Sequence, residues 1–226
     1  VASPRAAVVV PTLNEEEALR RTLPPALAAA DEVVVADGGS RDSTVAVARA
    51  LGARVVVGPA GRGAQLNQGA AAVDADLLLF LHADTTLPPD GVAAARAAIA
   101  GGAVGGAFRL RFDLAGPAYR LAERLANLRA RLTAVPLGDQ AQFASREAFA
   151  SLGGFQPWPV LEDLDFARRL KRRGRVVLLP QAVTTSARRF AAHGLVRTVA
   201  RNYYIWALYL AGADPRRLAR LYRPHG

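Results

Sequence analysis

Residues 77–90 read LLLFLHADTTLPPD. The five apolar residues Leu77 to Leu81 stop at His82-Ala83-Asp84, and a proline-rich polar loop comes next. A short apolar run bounded by an acid and turn residues predicts a strand buried on both faces, as in a parallel sheet. A carboxylate just past such a strand lies at the carboxyl edge of the sheet, where open α/β folds bind ligands. Asp84 is therefore read as the ligand of a divalent metal, and the metal as the anchor of a nucleotide diphosphate. The chain before this stretch is then expected to bind nucleotide, and much of the chain after it to bind an acceptor.

Working upstream, Ala6 to Val10 predicts a first strand ending at Pro11, and the next helix carries Ala18, Leu19 and Leu23. Asn14 is expected to cap that helix, and Glu15-Glu16-Glu17 suits its positive N-terminal end. Glu15 has a second reading as a functional residue at the strand's carboxyl end. Glu32 to Ala36 predicts a second strand, closed by Asp37-Gly38-Gly39-Ser40, where glycines permit a tight turn and close ligand approach. A helix through Val45 to Leu51 and a strand at Arg54 to Val57 complete a doubly wound α/β start. GxGxxG spacing is absent, and acids end the strands instead, so this is no dinucleotide fingerprint. Arg62 lies in the glycine-rich loop 58–63, where a guanidinium suits a phosphate.

Downstream, Gly91 to Ala100 predicts a helix, and Gly105 to Phe112 a strand with one wet face. Pro117 to Leu132 predicts an amphipathic helix with Leu121, Leu125, Leu128 and Leu132 on one side. Its arginines read as a solvated face, or as a surface for an anionic acceptor or lipid headgroups. Glu162, Asp163 and Asp165 crowd one turn at the start of a helix that Gly174 stops. Arg175 to Leu179 predicts the last strand. The run from Tyr203 to Ala213 is too short to span a bilayer; it suits core closure, a homodimer contact or a peripheral membrane contact.

Composition narrows the partners. The 226 residues are 51% hydrophobic and 21% charged, enough for one substantial domain or at most two small ones. Net charge is +10, which favours anionic partners. No nucleic-acid motif accompanies the arginines, so direct nucleic-acid binding is not expected. The absence of cysteine excludes disulfides and thiolate metal sites and fits a cytoplasmic protein. No signal-peptide pattern or transmembrane run is seen. With methionine also absent, the true start is expected upstream or trimmed.

In order and spacing, VVVPTLNEE at 8–16, VVVADGGSRDST at 33–44, GRGAQLNQG at 61–69, LFLHADT at 79–85, GGF at 153–155 and LEDLDFARRLKRRG at 161–174 resemble the inverting glycosyltransferases of family 2. The HAD form and the TSARRF stretch are similar to a compact, soluble bacterial subgroup. The resemblance implies an α/β fold of GT-A (Rossmann-like) type, a mainly parallel sheet flanked by helices with a C-terminal helical extension. One domain would span 1–226: a nucleotide-binding half at 1–90, an acceptor and catalytic half at 101–190, and a helical tail at 191–226. It implies that Pro11, Thr12 and Glu15 line the nucleobase pocket, that Asp37 contacts the base, and that Arg62 binds base or phosphate. His82, Ala83 and Asp84 stand where the family has Asp-x-Asp. Asp84 is the expected ligand of Mg²⁺ or Mn²⁺, with His82 a second, tentative ligand or a partner of ribose or phosphate. Asp163, beside Glu162, matches the family's general base, and Arg189-Phe190 an Arg-aromatic pair that supports the donor phosphates. His193 reads as an exposed loop residue or a further ligand.

That residue set suits transfer of a sugar from a nucleoside-diphosphate sugar to an acceptor hydroxyl. A hard cation takes carboxylate and phosphate oxygens and neutralises the leaving group, while a carboxylate opposite takes the acceptor's proton. One base with direct displacement implies inversion. The acceptor's identity is open, with an anionic or lipid-linked one in view. The expected setting is cytoplasmic, with peripheral contact at the inner face of the cell membrane in view. Two alternatives are a sugar-phosphate nucleotidyltransferase, which wants a basic glycine-rich loop directly after the first strand, and a catalytically inactive nucleotide- or membrane-binding member, favoured by His82 in place of an acid.

Overall fold

A computed structural model describes residues 3–221, apart from the side chains of Arg189 and His193. The chain runs β1 (Ala6–Thr12), α1 (Glu16–Ala29), β2 (Glu32–Asp37), α2 (Thr44–Ala50), β3 (Arg54–Val57), α3 (Arg62–Ala71), β4 (Leu77–Phe80), β5 (Thr85–Thr86), α4 (Gly91–Ala100), β6 (Gly105–Phe112), α5 (Pro117–Thr133), β7 (Phe143–Ser145), α6 (Arg146–Ser151), α7 (Glu162–Arg173), β8 (Val176–Thr185), α8 (Arg188–His193), α9 (Leu195–Leu210) and α10 (Pro215–Leu218). The strands form one sheet in the order β3-β2-β1-β4-β7-β6-β8-β5. β1 lies parallel to both β2 and β4, β2 parallel to β3, and β6 parallel to β8. β7 runs antiparallel to β4 and β6, and β5 antiparallel to β8.

Side chains alternate across the pleat, and here both faces are apolar. Val8, Val10, Leu77 and Leu79 face a core completed by Leu19 and Leu23 of α1, Val47 of α2 and Val92 of α4. Val9, Leu78 and Phe80 face a second core with Leu66 of α3, Phe149 of α6 and Phe166 of α7. Phe80 meets Phe155 edge-on at 4.8 Å between ring centroids. The α/β layering expected from the two-sided apolar runs, which the family resemblance implied to be of GT-A type, is the architecture found. After β1 the chain builds outward to β2 and β3, then returns to β4 on the other flank of β1. That reversal opens a crevice at the carboxyl ends of β1 and β4, the usual ligand site of such sheets.

α5 corrects an expectation. Its leucines do not face the core: Leu128 is 51% exposed and Leu132 75%, with Leu121 and Leu125 between them in exposure. The opposite face packs inward. β7 pairs with β6 only at Gly105 and Gly106, leaving the rest of that edge without a strand. Gln140 donates to the Phe108 carbonyl at 3.2 Å. Asn127 of α5 accepts from the Leu110 N–H at 2.7 Å and donates to its carbonyl at 3.0 Å. Glu123 accepts from the Phe112 N–H at 2.7 Å. Buried backbone groups must be satisfied, and the polar face of α5 does so in place of a strand, which turns the leucines outward.

The aromatic helix α9 seats Ile205 in a small core with Val160 and Leu218, while Tyr203 and Tyr204 remain exposed. Gly105 shows how tightly the sheet centre is drawn. A Cβ there would lie 2.3 Å from the Phe143 carbonyl oxygen and 3.0 Å from the Ala144 Cα. Gly105→Ala is expected to destabilise the protein by about 1–3 kcal/mol through overpacking against backbone, measured by urea unfolding.

Candidate functional site

The crevice is built on Thr12 and Asp37, which pair across β1 and β2. The buried Asp37 carboxylate accepts from the Thr12 hydroxyl at 3.0 Å, from the backbone N–H groups of Gly39 and Ser40 at 2.9 and 2.8 Å, and from the Ser40 hydroxyl. Burial on its own raises a carboxyl, but these hydrogen bonds outweigh it and hold Asp37 below its ordinary range. Asn14, expected as the cap of α1, instead takes a left-handed conformation with φ 55°. Its side chain accepts from the Arg41 N–H at 2.9 Å, tying the two loops together, and no side chain caps α1.

Gln65 is a residue the sequence reading missed. Its buried amide donates to the carbonyls of Thr12 and Ala36, both at 2.8 Å, and accepts from the Gly61 N–H at 3.2 Å. It thereby fixes the ends of β1 and β2 to the start of α3. The available signal was the polar run Gln65, Asn67, Gln68 inside a helix. Asn67 likewise holds the backbone of Phe155, and Gln68 that of Val57.

Arg62 at the start of α3 reaches Glu162 at the start of α7, 3.0 Å away. Burial raises the Glu162 carboxyl, against the opposing pull of the Arg62 charge and with the help of Asp163. In the same turn, Asp165 pairs with Arg169 at 2.6 Å and accepts from the Tyr209 hydroxyl at 3.3 Å. Asp163 differs. Its Oδ2 accepts from the Gly138 N–H at 2.7 Å, and its Oδ1 from the Leu164 N–H at 2.8 Å. Gln142 donates to the Asp163 carbonyl at 3.0 Å.

The loop after β4 is held by its backbone. Thr22 donates to the Ala83 carbonyl at 2.6 Å, and the Ser186 N–H to that of Asp84 at 3.1 Å. Pairing of β5 with β8 brings Arg188 beside this loop. One Arg188 nitrogen lies 2.6 and 2.7 Å from the two Glu15 oxygens and 3.6 Å from Asp84 Oδ2. The hydrogen bond to Glu15 raises Arg188 above its ordinary range. Glu15 and Asp84 thus converge on one cation, supplied by Arg188. The side chains of Arg189, the arginine singled out from the sequence, and of His193 lie outside the described residues.

His82 is brought to Asp163. A Cβ on Gly138 would lie 2.8 Å from His82 Nε2 and 3.0 Å from Asp163 Oδ2, so the two side chains face each other across a glycine that leaves them room. Among the described residues, no group of three or more His, Cys, Asp or Glu forms a cluster able to hold a metal.

Residues 7–149 match the family described as Glycosyl transferase family 2. The chain belongs to glycosyl transferase family 2. No curated protein matches it in sequence. Among solved structures, it is similar to the mannosyltransferase PcManGT from Pyrobaculum calidifontis in complex with GDP-Man and Mn²⁺, at 21% identity and TM-score 0.72, covering 98% of this chain and 69% of that one. TarS from S. aureus in complex with UDP-GlcNAc shares 18% identity at TM-score 0.62, over 81% of this chain and 59% of that one. Glucosyl-3-phosphoglycerate synthase from Mycobacterium tuberculosis, in complex with Mn²⁺, UDP and glucosyl-3-phosphoglycerate, shares 26% identity at TM-score 0.55, over 81% and 70%. The chain therefore spans only part of the length of each.

The depressed Asp37 carboxyl has a signed consequence. A lowered folded-state value contributes stability that is present above the ordinary value of 3.8 and is lost as pH falls through the folded value. Asp37→Asn is expected to cost about 1–3 kcal/mol at neutral pH. In thermal unfolding across pH, the gap from the parent protein should close on acidification.

Proposed function

We propose that this family member transfers a sugar from a nucleoside-diphosphate sugar to an acceptor hydroxyl with inversion at the anomeric carbon. The observation that carries this reading is the meeting of the β4 loop and the start of α7 across Gly138. On this reading the leaving group would be met from the β4 loop and the acceptor from the start of α7. The nucleotide would occupy the crevice between β1 and β4, against Pro11, Thr12, Glu15 and the turn organised by Asp37. Family membership and the nucleotide complexes of similar structures support this reading over a nucleotidyltransferase.

In the proposed reaction, the acceptor oxygen forms the new bond to the anomeric carbon as the bond to the β-phosphate oxygen breaks. Asp163 takes the acceptor's proton. It is suited to this because its carboxylate is aimed by two backbone N–H groups rather than consumed by an arginine, unlike Glu162 and Asp165. Glu162 joins Arg62 in bracing the start of α7. Arg188 and Arg62 add fixed positive charge where the diphosphate leaves.

The residues present fit a divalent cation, Mg²⁺ or Mn²⁺, that arrives with the diphosphate. Asp84 offers one hard oxygen ligand, and such ions commonly bind through one or two carboxylates plus substrate phosphates and water. When bound, the ion supplies Lewis-acid neutralisation of the leaving group. His82, facing Asp163, stands between this position and the acceptor.

Two measurements test the proposal. In a thermal-shift panel of UDP, GDP, dTDP and CDP with Mg²⁺ or Mn²⁺, at least one nucleotide at about 100 Kd should add roughly 2.7 kcal/mol of stability. Asp84→Ala should weaken that metal-dependent shift, and silence across the whole panel would overturn the reading. Asp163→Asn should bind the same nucleotide while losing transfer by about 10²–10⁴-fold; full transfer in that variant removes Asp163 as the base.

A further inference from the structure

We propose that the outer face of α5 docks on an anionic lipid bilayer. Leu121, Leu125, Leu128 and Leu132 recur at i, i+4, i+7 and i+11, which places them within an arc of about 60° on a helix of 3.6 residues per turn. Each is at least half exposed, although the helix's own inward face is already taken up by the edge of β6. Four exposed leucines in one stripe form a patch of the kind that marks an interaction surface.

The flank of the stripe identifies the partner. Arg124 and Arg131 border the leucines and lie in a groove of about 580 Å³ between α5 and β8, together with Arg109 and the apolar Leu128, Val177 and Pro180. No acid lines this groove. The one carboxylate of α5, Glu123, is buried and bound to Arg120 and to the Phe112 N–H. Beyond the other flank, Arg129 stacks on Trp206 at 5.2 Å, and Trp206 lies 5.5 Å from Tyr203, which is 44% exposed. Leucines on one face, arginines along its edge and aromatic rings beside it are the features of an interfacial helix, which joins apolar insertion to attraction for anionic headgroups.

Charge argues against a second copy as the occupant. An isologous interface sets the same patch against itself, which would bring Arg124 and Arg131 against their counterparts with no exposed α5 carboxylate to pair them. Among the described residues no helix is long and apolar enough to cross a membrane, so this face would make a surface contact only. α5 runs into the loop before β7 that carries Gly138, whose N–H donates to Asp163, so docking through it sets the Asp163 side of the cleft at the bilayer. That consequence rests on the proposed reaction, whereas the docking does not.

The test is co-sedimentation of the full chain, without nucleotide, with phosphatidylcholine vesicles and with phosphatidylcholine–phosphatidylglycerol vesicles. Binding is expected only with the anionic lipid and should fall as salt screens it. Arg124→Gln/Arg131→Gln should weaken it about 30-fold, at roughly 1 kcal/mol for each arginine near an anionic surface. Leu125→Ser/Leu128→Ser should weaken it at least about tenfold through lost apolar burial, with an unchanged circular dichroism spectrum. Arg20→Gln/Arg21→Gln, the same charge change on exposed positions of α1, should leave it near the parent level. The proposal is overturned if the parent chain ignores anionic vesicles, if the α1 and α5 arginine pairs lower binding equally, or if the leucine variant binds like the parent. Conversion of a dimer to a monomer by the leucine variant, with vesicle binding unaltered, would assign the stripe to a second copy instead.

Discussion

β1 and β4 are covered on both faces by apolar side chains, so polar chemistry can enter the centre of this sheet only at the strand ends. The crevice depends on that constraint. Where the apolar runs stop, at Thr12, Asp37 and His82, backbone groups lose their ladder partners, and buried ones must find others. Asp37 and Gln65 provide them from opposite sides. Asp37 gathers the turn after β2 through two backbone N–H groups and two hydroxyls. Gln65 holds the Thr12 and Ala36 carbonyls, near the ends of β1 and β2, through one amide. The floor of the crevice is thus a hydrogen-bonded plate rather than a set of independent side chains.

A parallel logic governs the charges. The acids at the cleft are met by arginines drawn from distant parts of the chain. Glu15 and Asp84 share Arg188, and Glu162 takes Arg62. Each pair joins an early loop to a late element, so the electrostatic contacts hold the two sides of the cleft in register as well as balancing charge. Breaking one partner of the buried Glu162 pair would leave a carboxylate in a poorly solvated position, the costly case for buried ion pairs. Arg188 is more exposed, and its contact with Asp84 is long at 3.6 Å, so that contact breaks at lower cost.

Much of this was legible in the sequence because burial on two faces writes itself as uninterrupted apolar runs. β1, β2 and β4 stand at the places where such runs occur, with Asp37 ending β2 and Asp84 following β4, whereas β3 at the sheet edge is only partly buried. What was not legible depended on partners far away. α5 has a clear leucine stripe, yet the stripe is outside, because the unpaired edge of β6 needed the hydrogen-bonding face of Asn127 and Glu123. Arg188 and Arg189 are adjacent, and only the path of the chain after β8 shows Arg188 at Glu15 and Asp84. Asn14 has the chemistry of a helix cap, but a left-handed backbone turns it to Arg41 instead. In each case, local propensity allowed several partners and tertiary contact chose among them.

Gly138 carries the same lesson to the Asp163 side of the cleft. Its N–H fixes one oxygen of Asp163, and its missing side chain admits both that oxygen and His82 Nε2 within 3.0 Å of the space a Cβ would fill. A carboxylate at position 82 would bring a second negative charge toward Asp163 across this gap, where like charges repel. An imidazole offers a ring N–H donor there without that repulsion. Histidine at position 82 therefore has a physical setting. His82 lies across Gly138 from the proposed base as well as two positions from Asp84, and its side chain suits the company it keeps there.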